Sequence, residues 1–217
     1  MISHDFQNQL ARRASLAELD LSPALVGQLE AYYRLLVHWN TRVNLTALPL
    51  NPITDQAVDR LLIEPIAAAQ YLATAAPVWF DFGSGGGSPA IPLKLARPAG
   101  QLTMIESKER KAAFLREAVR SLKMDDTRVE AIRIEALATD YGLAATADLV
   151  TVRAVRADQA LFDAIGNLLR FQGRAFLFGA KHAGLTVPRG YEVVESHPSG
   201  SEPDRDQALL VLNWVGL

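Results

Sequence analysis

The chain has 217 residues, 49% hydrophobic and 21% charged, a balance that supports a sizeable core and excludes wholesale disorder. It contains no cysteine, which excludes a disulfide scaffold, thiolate zinc sites, iron–sulfur clusters and a cysteine nucleophile. Twenty-two basic and 24 acidic residues leave a net charge of −2, so a nucleic-acid role would need a local basic patch.

The first 75 residues read as helices. Ser22 before Pro23 is an N-cap with proline at the first helical position. Leu25, Leu29, Tyr32, Leu36 and Trp39 then recur at three- and four-residue spacing, on one face. Pro49 and Pro52 break the pattern; Thr54 can cap another helix carrying Val58, Leu61 and Leu62, which Pro65 kinks or divides before Tyr71. From Pro77 the texture changes. Val78-Trp79-Phe80-Asp81-Phe82 is a short β-rich run ending in glycines. Further strands are expected over 101–105, 129–132, 149–152 and 175–178, with a helix over 108–122 that turns Ala112, Leu115, Val119 and Leu122 inward. Asp158 can cap a helix through Leu161, Ile165 and Leu168, and strands over 191–194 and 208–214 close the chain as a hairpin. Strand–helix alternation implies a parallel sheet covered on both faces. The expected architecture is α/β: a helical cap over 1–75 and a doubly wound domain over 76–217.

No apolar run approaches the roughly 20 residues of a membrane-spanning helix, and the first residues lack the order of a signal peptide. A cytoplasmic location is expected. His4, His38, His182 and His197 show no metal-ligand spacing, so no metal site is expected. Residues 106–133 carry eight basic and six acidic side chains, mostly explained by a solvated helix face.

The segment richest in chemistry is Asp81-Phe82-Gly83-Ser84-Gly85-Gly86-Gly87-Ser88-Pro89, at a strand C-terminus where open parallel sheets bind ligands. Its glycines permit a sharp turn and close approach of a ligand to the backbone, and Ser88-Pro89 would start the next helix. No Lys-Ser/Thr pair follows, so it is not a P-loop. Glu106 ends the next strand, where a carboxylate can accept from both hydroxyls of a ribose. A nicotinamide dinucleotide and S-adenosylmethionine both present such a ribose. Ser88 breaks the last position of the dinucleotide fingerprint, and Asp81 suits a sulfonium better than a pyrophosphate, or else simply caps the loop.

The run from Asp81 to Leu93 resembles the D-[IV]-G-[ST]-G-x-G-x-P-[GA]-I-P-L signature of the glucose-inhibited division protein B family, the small-subunit ribosomal RNA guanine-N7 methyltransferases. Trp39-Asn40 with Asn44-Leu45-Thr46 is similar to that family's second hallmark, and the matches at Ile105-Glu106-Ser107, Arg133-Ile134-Glu135 and Val152-Arg153-Ala154 follow in order, over roughly residues 25–178. The resemblance implies a Rossmann-like class I S-adenosylmethionine-dependent sheet with an N-terminal helical cap. By it, Gly83 and Ser88 line the methionine and sulfonium end, Glu106 holds the ribose, and Ile134 and Glu135 border the adenine; Asp81, Gly85 and Gly87 are also expected to bind the cofactor. Arg153 sits at the cofactor–substrate junction as the catalytic residue, and Trp39, Asn40 and Asn44 help shape the nucleotide face. The implied partner is small-subunit ribosomal RNA or the assembled subunit, bound by a monomer with no membrane association.

Departures fall on the RNA side. Arg60-Leu61-Leu62-Ile63-Glu64-Pro65 keeps the arginine of an R-H-x-x-D-S run but loses its histidine and D-S pair. Gly179 stands where a lysine is usual, with Lys181 nearby, and residues 207–213 lack flanking basic groups. A small-molecule acceptor, or a cofactor-binding protein without transferase activity, are the alternatives. The stretch over 196–205 is either a cover for the site or an exposed connection.

Overall fold

The computed structural model describes residues 2–138, 141–181, 186–198 and 207–216. Two long helices come first, α1 (Ile2–Leu16) and α2 (Pro23–Asn40). Phe6, Leu10 and Ala14, four apart, form the buried stripe of α1, and Leu29, Tyr32, Tyr33 and Leu36 that of α2. Ser22 caps α2 as expected, its Oγ accepting from Leu25 N at 3.2 Å. A third helical stretch follows: α3 (Asp55–Val58), a π-helical turn (Asp59–Ile63), α4 (Glu64–Ala67) and a 3-10 turn (Ala68–Tyr71). Thr54 caps it, and Pro65 divides it. Having no N–H, Pro65 cannot donate to the preceding turn, and the helix widens where that bond would fall. Arg13 joins α1 to this stretch through a forked pair with Asp59.

The rest alternates strand and helix: β1 (Val78–Phe82), α5 (Ala90–Ala96), β2 (Gln101–Ile105), α6 (Glu109–Ser121), β3 (Thr127–Glu130), α7 (Ile134–Ala138), β4 (Ala147–Arg153), α8 (Gln159–Leu168), β5 (Leu169–Lys181), β6 (Tyr191–Pro198) and β7 (Gln207–Trp214). The sheet order is β3-β2-β1-β4-β5-β7-β6. The first five strands are parallel, and β7 enters antiparallel between β5 and β6. The expected hairpin is therefore present.

Several expectations shift: β5 (Leu169–Lys181) and β6 (Tyr191–Pro198) run longer than the expected 175–178 and 191–194. β3 starts and ends two residues early, because its partner β2 stops at Ile105 and residues 131–132 have nothing left to pair with. Pro89 occupies the N-cap position and α5 begins at Ala90. Phe114 joins Ala112, Leu115 and Ala118 among the buried residues of α6, since α6 also packs on α2: Trp39 meets Phe114 edge-on at 5.9 Å. The residues 196–198 belong to β6, and the remainder of the suggested cover lies outside the described residues.

Period-two alternation sorts the sheet into two faces. Phe80, Phe82, Val150, Val152 and Leu177 pack with α8 in one cluster. Trp79, Leu149, Phe176 and Phe178 face the other way and share one continuous cluster with Phe6, Tyr33 and Leu62 of the N-terminal helices. α5 lies between, in contact with α2, α4 and β2. That explains why Ala90 through Leu95 are all buried, with Lys94 Nζ donating to the carbonyls of Pro98 and Gly100.

Candidate cofactor and substrate site

The turn between β1 and α5 lies at the C-terminal edge of the sheet, where a cavity of about 620 Å³ opens between it and the N-terminal helices. Gly83 and Gly87 both have positive φ, at 67° and 85°. A Cβ on Gly87 would come within 2.4 Å of Ile91 Cδ1, and one on Gly83 within 2.9 Å of Val155 Cγ2. Both positions demand glycine on two grounds, conformation and space. The loop is also held from above, by Tyr32 Oη donating to the Gly86 carbonyl at 2.7 Å.

Glu106 follows directly on β2, one residue past the strand end, and is 6% exposed. Its Oε2 accepts from Gly85 N at 2.9 Å and its Oε1 from Lys108 N at 2.8 Å. One carboxylate thus clamps the glycine turn to the turn after β2. It borders the cavity with acceptor capacity to spare, since an ionised carboxylate offers about four lone-pair sites.

Beneath the loop lies a buried polar layer generated by the same alternation. Trp79 and Asp81 of β1, Thr151 and Arg153 of β4 and Phe178 of β5 all project toward the helical side. Trp79 Nε1 donates to Thr151 Oγ1 at 2.8 Å, and Thr151 Oγ1 donates to Asp81 Oδ1. Asp81 is fully buried, behind the cavity wall rather than in it. Burial pushes its carboxyl up to about 7, with the Ser84 and Thr151 hydroxyls and the Arg153 charge pulling against it. Arg153 does border the cavity. Its guanidinium lies 4.8 Å from the Phe178 ring centroid and pairs with Glu64 at 3.0 Å; burial lowers its pKa while Glu64 opposes the change. Asp81 Oδ2, Glu64 Oε1 and Arg153 Nε are buried without a partner, so the layer holds unused polar capacity next to the cavity.

Of the expected site residues, Gly83, Gly85, Ser88, Glu106 and Arg153 come together around the cavity. Asp81 and Gly87 support it from behind. Ile134 and Glu135 open α7 after β3, outside the lining. The Ser88 hydroxyl donates to the Leu61 carbonyl at 2.9 Å, which is the acceptor that Pro65 leaves empty. Asn40 is likewise engaged, its Oδ1 accepting from Leu45 N and Thr46 N, whereas Asn44 borders the cavity. The side chains of Lys181 and Gln207 lie outside the described residues. Sequence reasoning passed over Lys108 and Lys111, which border the cavity and whose signal was proximity to Glu106. It also passed over Tyr32 as a loop anchor and Glu64 as the Arg153 partner. No His/Asp/Glu cluster suited to a metal occurs among the described residues.

Comparison with known proteins places this arrangement. The family described as rRNA small subunit methyltransferase G (GidB) matches residues 26–195. The ribosomal RNA small subunit methyltransferase G of Xanthomonas axonopodis pv. citri is 35% identical over 193 residues, 87% of this chain and 86% of that one. Its counterpart in Stenotrophomonas maltophilia strain K279a is 39% identical over 188 residues, 84% of each. Among solved structures, M. jannaschii TYW2 in complex with AdoMet superposes with a TM-score of 0.53 at 18% identity, covering 70% of this chain and 74% of that one. The fold is therefore the Rossmann-like class I methyltransferase fold, and the chain belongs to the rRNA small subunit methyltransferase G family.

Proposed function

We propose that this protein transfers the methyl group of S-adenosylmethionine to N7 of a guanine in small-subunit ribosomal RNA, acting as a monomer in the cytoplasm on the RNA or the assembled subunit. Among the described residues no helix is long and apolar enough to cross a membrane. The observation that carries the cofactor assignment is Glu106, whose carboxylate is held by two backbone N–H groups at the rim of a glycine-walled cavity.

The residues present fit the cofactor. Glu106 keeps acceptor positions for a ribose diol. The positive-φ glycines clear backbone space for the methionine portion, and Asp81 behind them supplies negative charge toward a sulfonium once it ionises, above about pH 7. Ile134 and Glu135, after β3, are assigned to the adenine end. When bound, S-adenosylmethionine supplies an activated methyl group on a cationic sulfur. Guanine N7 is an exposed lone pair, so the protein has no proton to remove. Its contribution is in-line positioning and a fixed electrostatic environment. Arg153, anchored by Glu64 and Phe178, has Nε–H free to donate at the junction of cofactor and base; a guanine O6 is a suitable acceptor.

Titration calorimetry with S-adenosylmethionine tests the first half: wild-type protein takes it up, and Glu106→Gln weakens uptake by about 10- to 100-fold, because one acceptor becomes a donor facing a backbone N–H. Mass spectrometry of ribosomal RNA from cells lacking the protein tests the second. One 7-methylguanine should disappear from the small-subunit RNA, and an unchanged inventory refutes the assignment.

A further inference from the structure

A second, smaller cavity of about 380 Å³ lies beside the first. Its floor is Trp39 of α2, Val43 in the turn after that helix, and Ala113 of α6; Arg42 and Arg110 flank it, both exposed. Two chain steps connect it to the cofactor cavity, since Val43 is followed by Asn44 and Arg110 by Lys111, both of which border that cavity. The indole of Trp39 is braced edge-on by Phe114, so the ring is held and its accessible part forms a flat apolar surface.

The charges around it are one-sided. Arg42 and Arg110, with Lys108, Lys111 and Arg60 along the cofactor cavity, form no ion pair among the described residues. The nearby carboxylates are engaged: Glu106 by two backbone N–H groups, Glu109 by Arg116 at 2.8 Å. In a chain of net charge −2, five unpaired cations continuous with one site constitute a local patch of the kind a polyanion requires. An aromatic and aliphatic floor between two guanidinium groups matches a single nucleotide, whose base stacks while its flanking phosphates take the arginines.

We propose that the shelf formed by Trp39, Val43, Ala113, Arg42 and Arg110 docks an unpaired nucleotide of the substrate RNA next to the target guanine. This rests on the RNA methyltransferase reading above and adds the route by which the strand leaves the site. It also supplies basic contacts from the turn after α2 and from α6 in place of those missing after β5 and around β7.

The test uses the full chain and its Arg42→Ala/Arg110→Ala double variant, assayed for methyl transfer to small ribosomal subunits and to naked small-subunit RNA, with S-adenosylmethionine calorimetry alongside. The double variant should bind the cofactor as wild type does, keep kcat, and raise KM for both RNA substrates by about tenfold or more. The slope of log affinity against log salt should fall by about 1.4, two single-strand contacts at about 0.7 each. Unchanged KM and salt slope, with wild type active on RNA, overturn the shelf and leave the functional reading intact. A loss confined to assembled subunits, with naked RNA bound equally by both proteins, overturns it in favour of a ribosomal protein as occupant. Wild-type protein that binds cofactor but methylates neither RNA overturns the functional reading and the shelf with it.

Discussion

Asp81 is a carboxylate placed where water cannot reach it, and its protonation records the consequence. An ordinary aspartate in the unfolded chain loses its proton near pH 3.8, whereas the native group holds it to about 7. Between those values the folded state binds more protons than the unfolded state, so stability falls as pH rises and levels off above about 7. A shift of that size corresponds to a few kcal/mol at most, at about 1.4 kcal/mol per unit. Asp81→Asn removes the titration while keeping the acceptor for Thr151. In urea unfolding, the variant should gain stability relative to wild type between pH 5 and pH 8. A difference that stays constant across that range would show Asp81 ionised throughout. The residue itself was legible in the sequence because it precedes a glycine turn. Its full burial was not, since that depends on Trp79, Thr151 and the helices above them, which come from three separate parts of the chain.

At the scale of elements, the π-helical turn and the glycine turn act on each other. Pro65 leaves the Leu61 carbonyl without its helical partner, and the Ser88 hydroxyl takes that place across 27 residues of sequence. The proline was readable as a kink or division of the helix. What it releases was not, because hydrogen-bond demand created in one element is met by another that only the fold brings near. Ser88 therefore divides two expectations. If its hydroxyl serves the helix, Ser88→Ala should lower stability by about 1–2 kcal/mol, the cost of a carbonyl buried without a donor, while S-adenosylmethionine affinity stays within about threefold. If it serves the cofactor instead, calorimetry will show the larger loss in affinity. Tyr32→Phe gives the complementary pattern: the Gly86 carbonyl loses the hydroxyl that ties it to α2, so the glycine turn loosens and cofactor affinity falls several-fold for about 1 kcal/mol of stability.

For the whole molecule, the parallel sheet, its closing hairpin and the location of the site were readable from strand–helix alternation and one glycine turn, since these reflect local composition, whereas the strand order emerges only from the fold. The change from helical to β-rich texture near residue 76 was readable too, but texture does not report how surfaces pair. Phe6, Tyr33 and Leu62 occupy the same cluster as Trp79, Ile91, Phe114 and Phe176, so the N-terminal helices cover a sheet face that would otherwise be apolar and wet. We propose that residues 1–75 and 76–217 unfold as one unit. The three tryptophans report on this, with Trp39 and Trp79 packed in the shared cluster and Trp214 against the opposite face. Guanidinium unfolding followed by tryptophan fluorescence and by far-ultraviolet circular dichroism should give coincident transitions. Phe6→Ala, which removes a fully buried ring from the N-terminal helix, should cost about 3–5 kcal/mol and move both traces together. If fluorescence and dichroism separate in that variant, the helices melt from an intact sheet and form a distinct unit. Coincidence would mean that the cofactor cavity, walled by both stretches, exists only when the entire chain is folded.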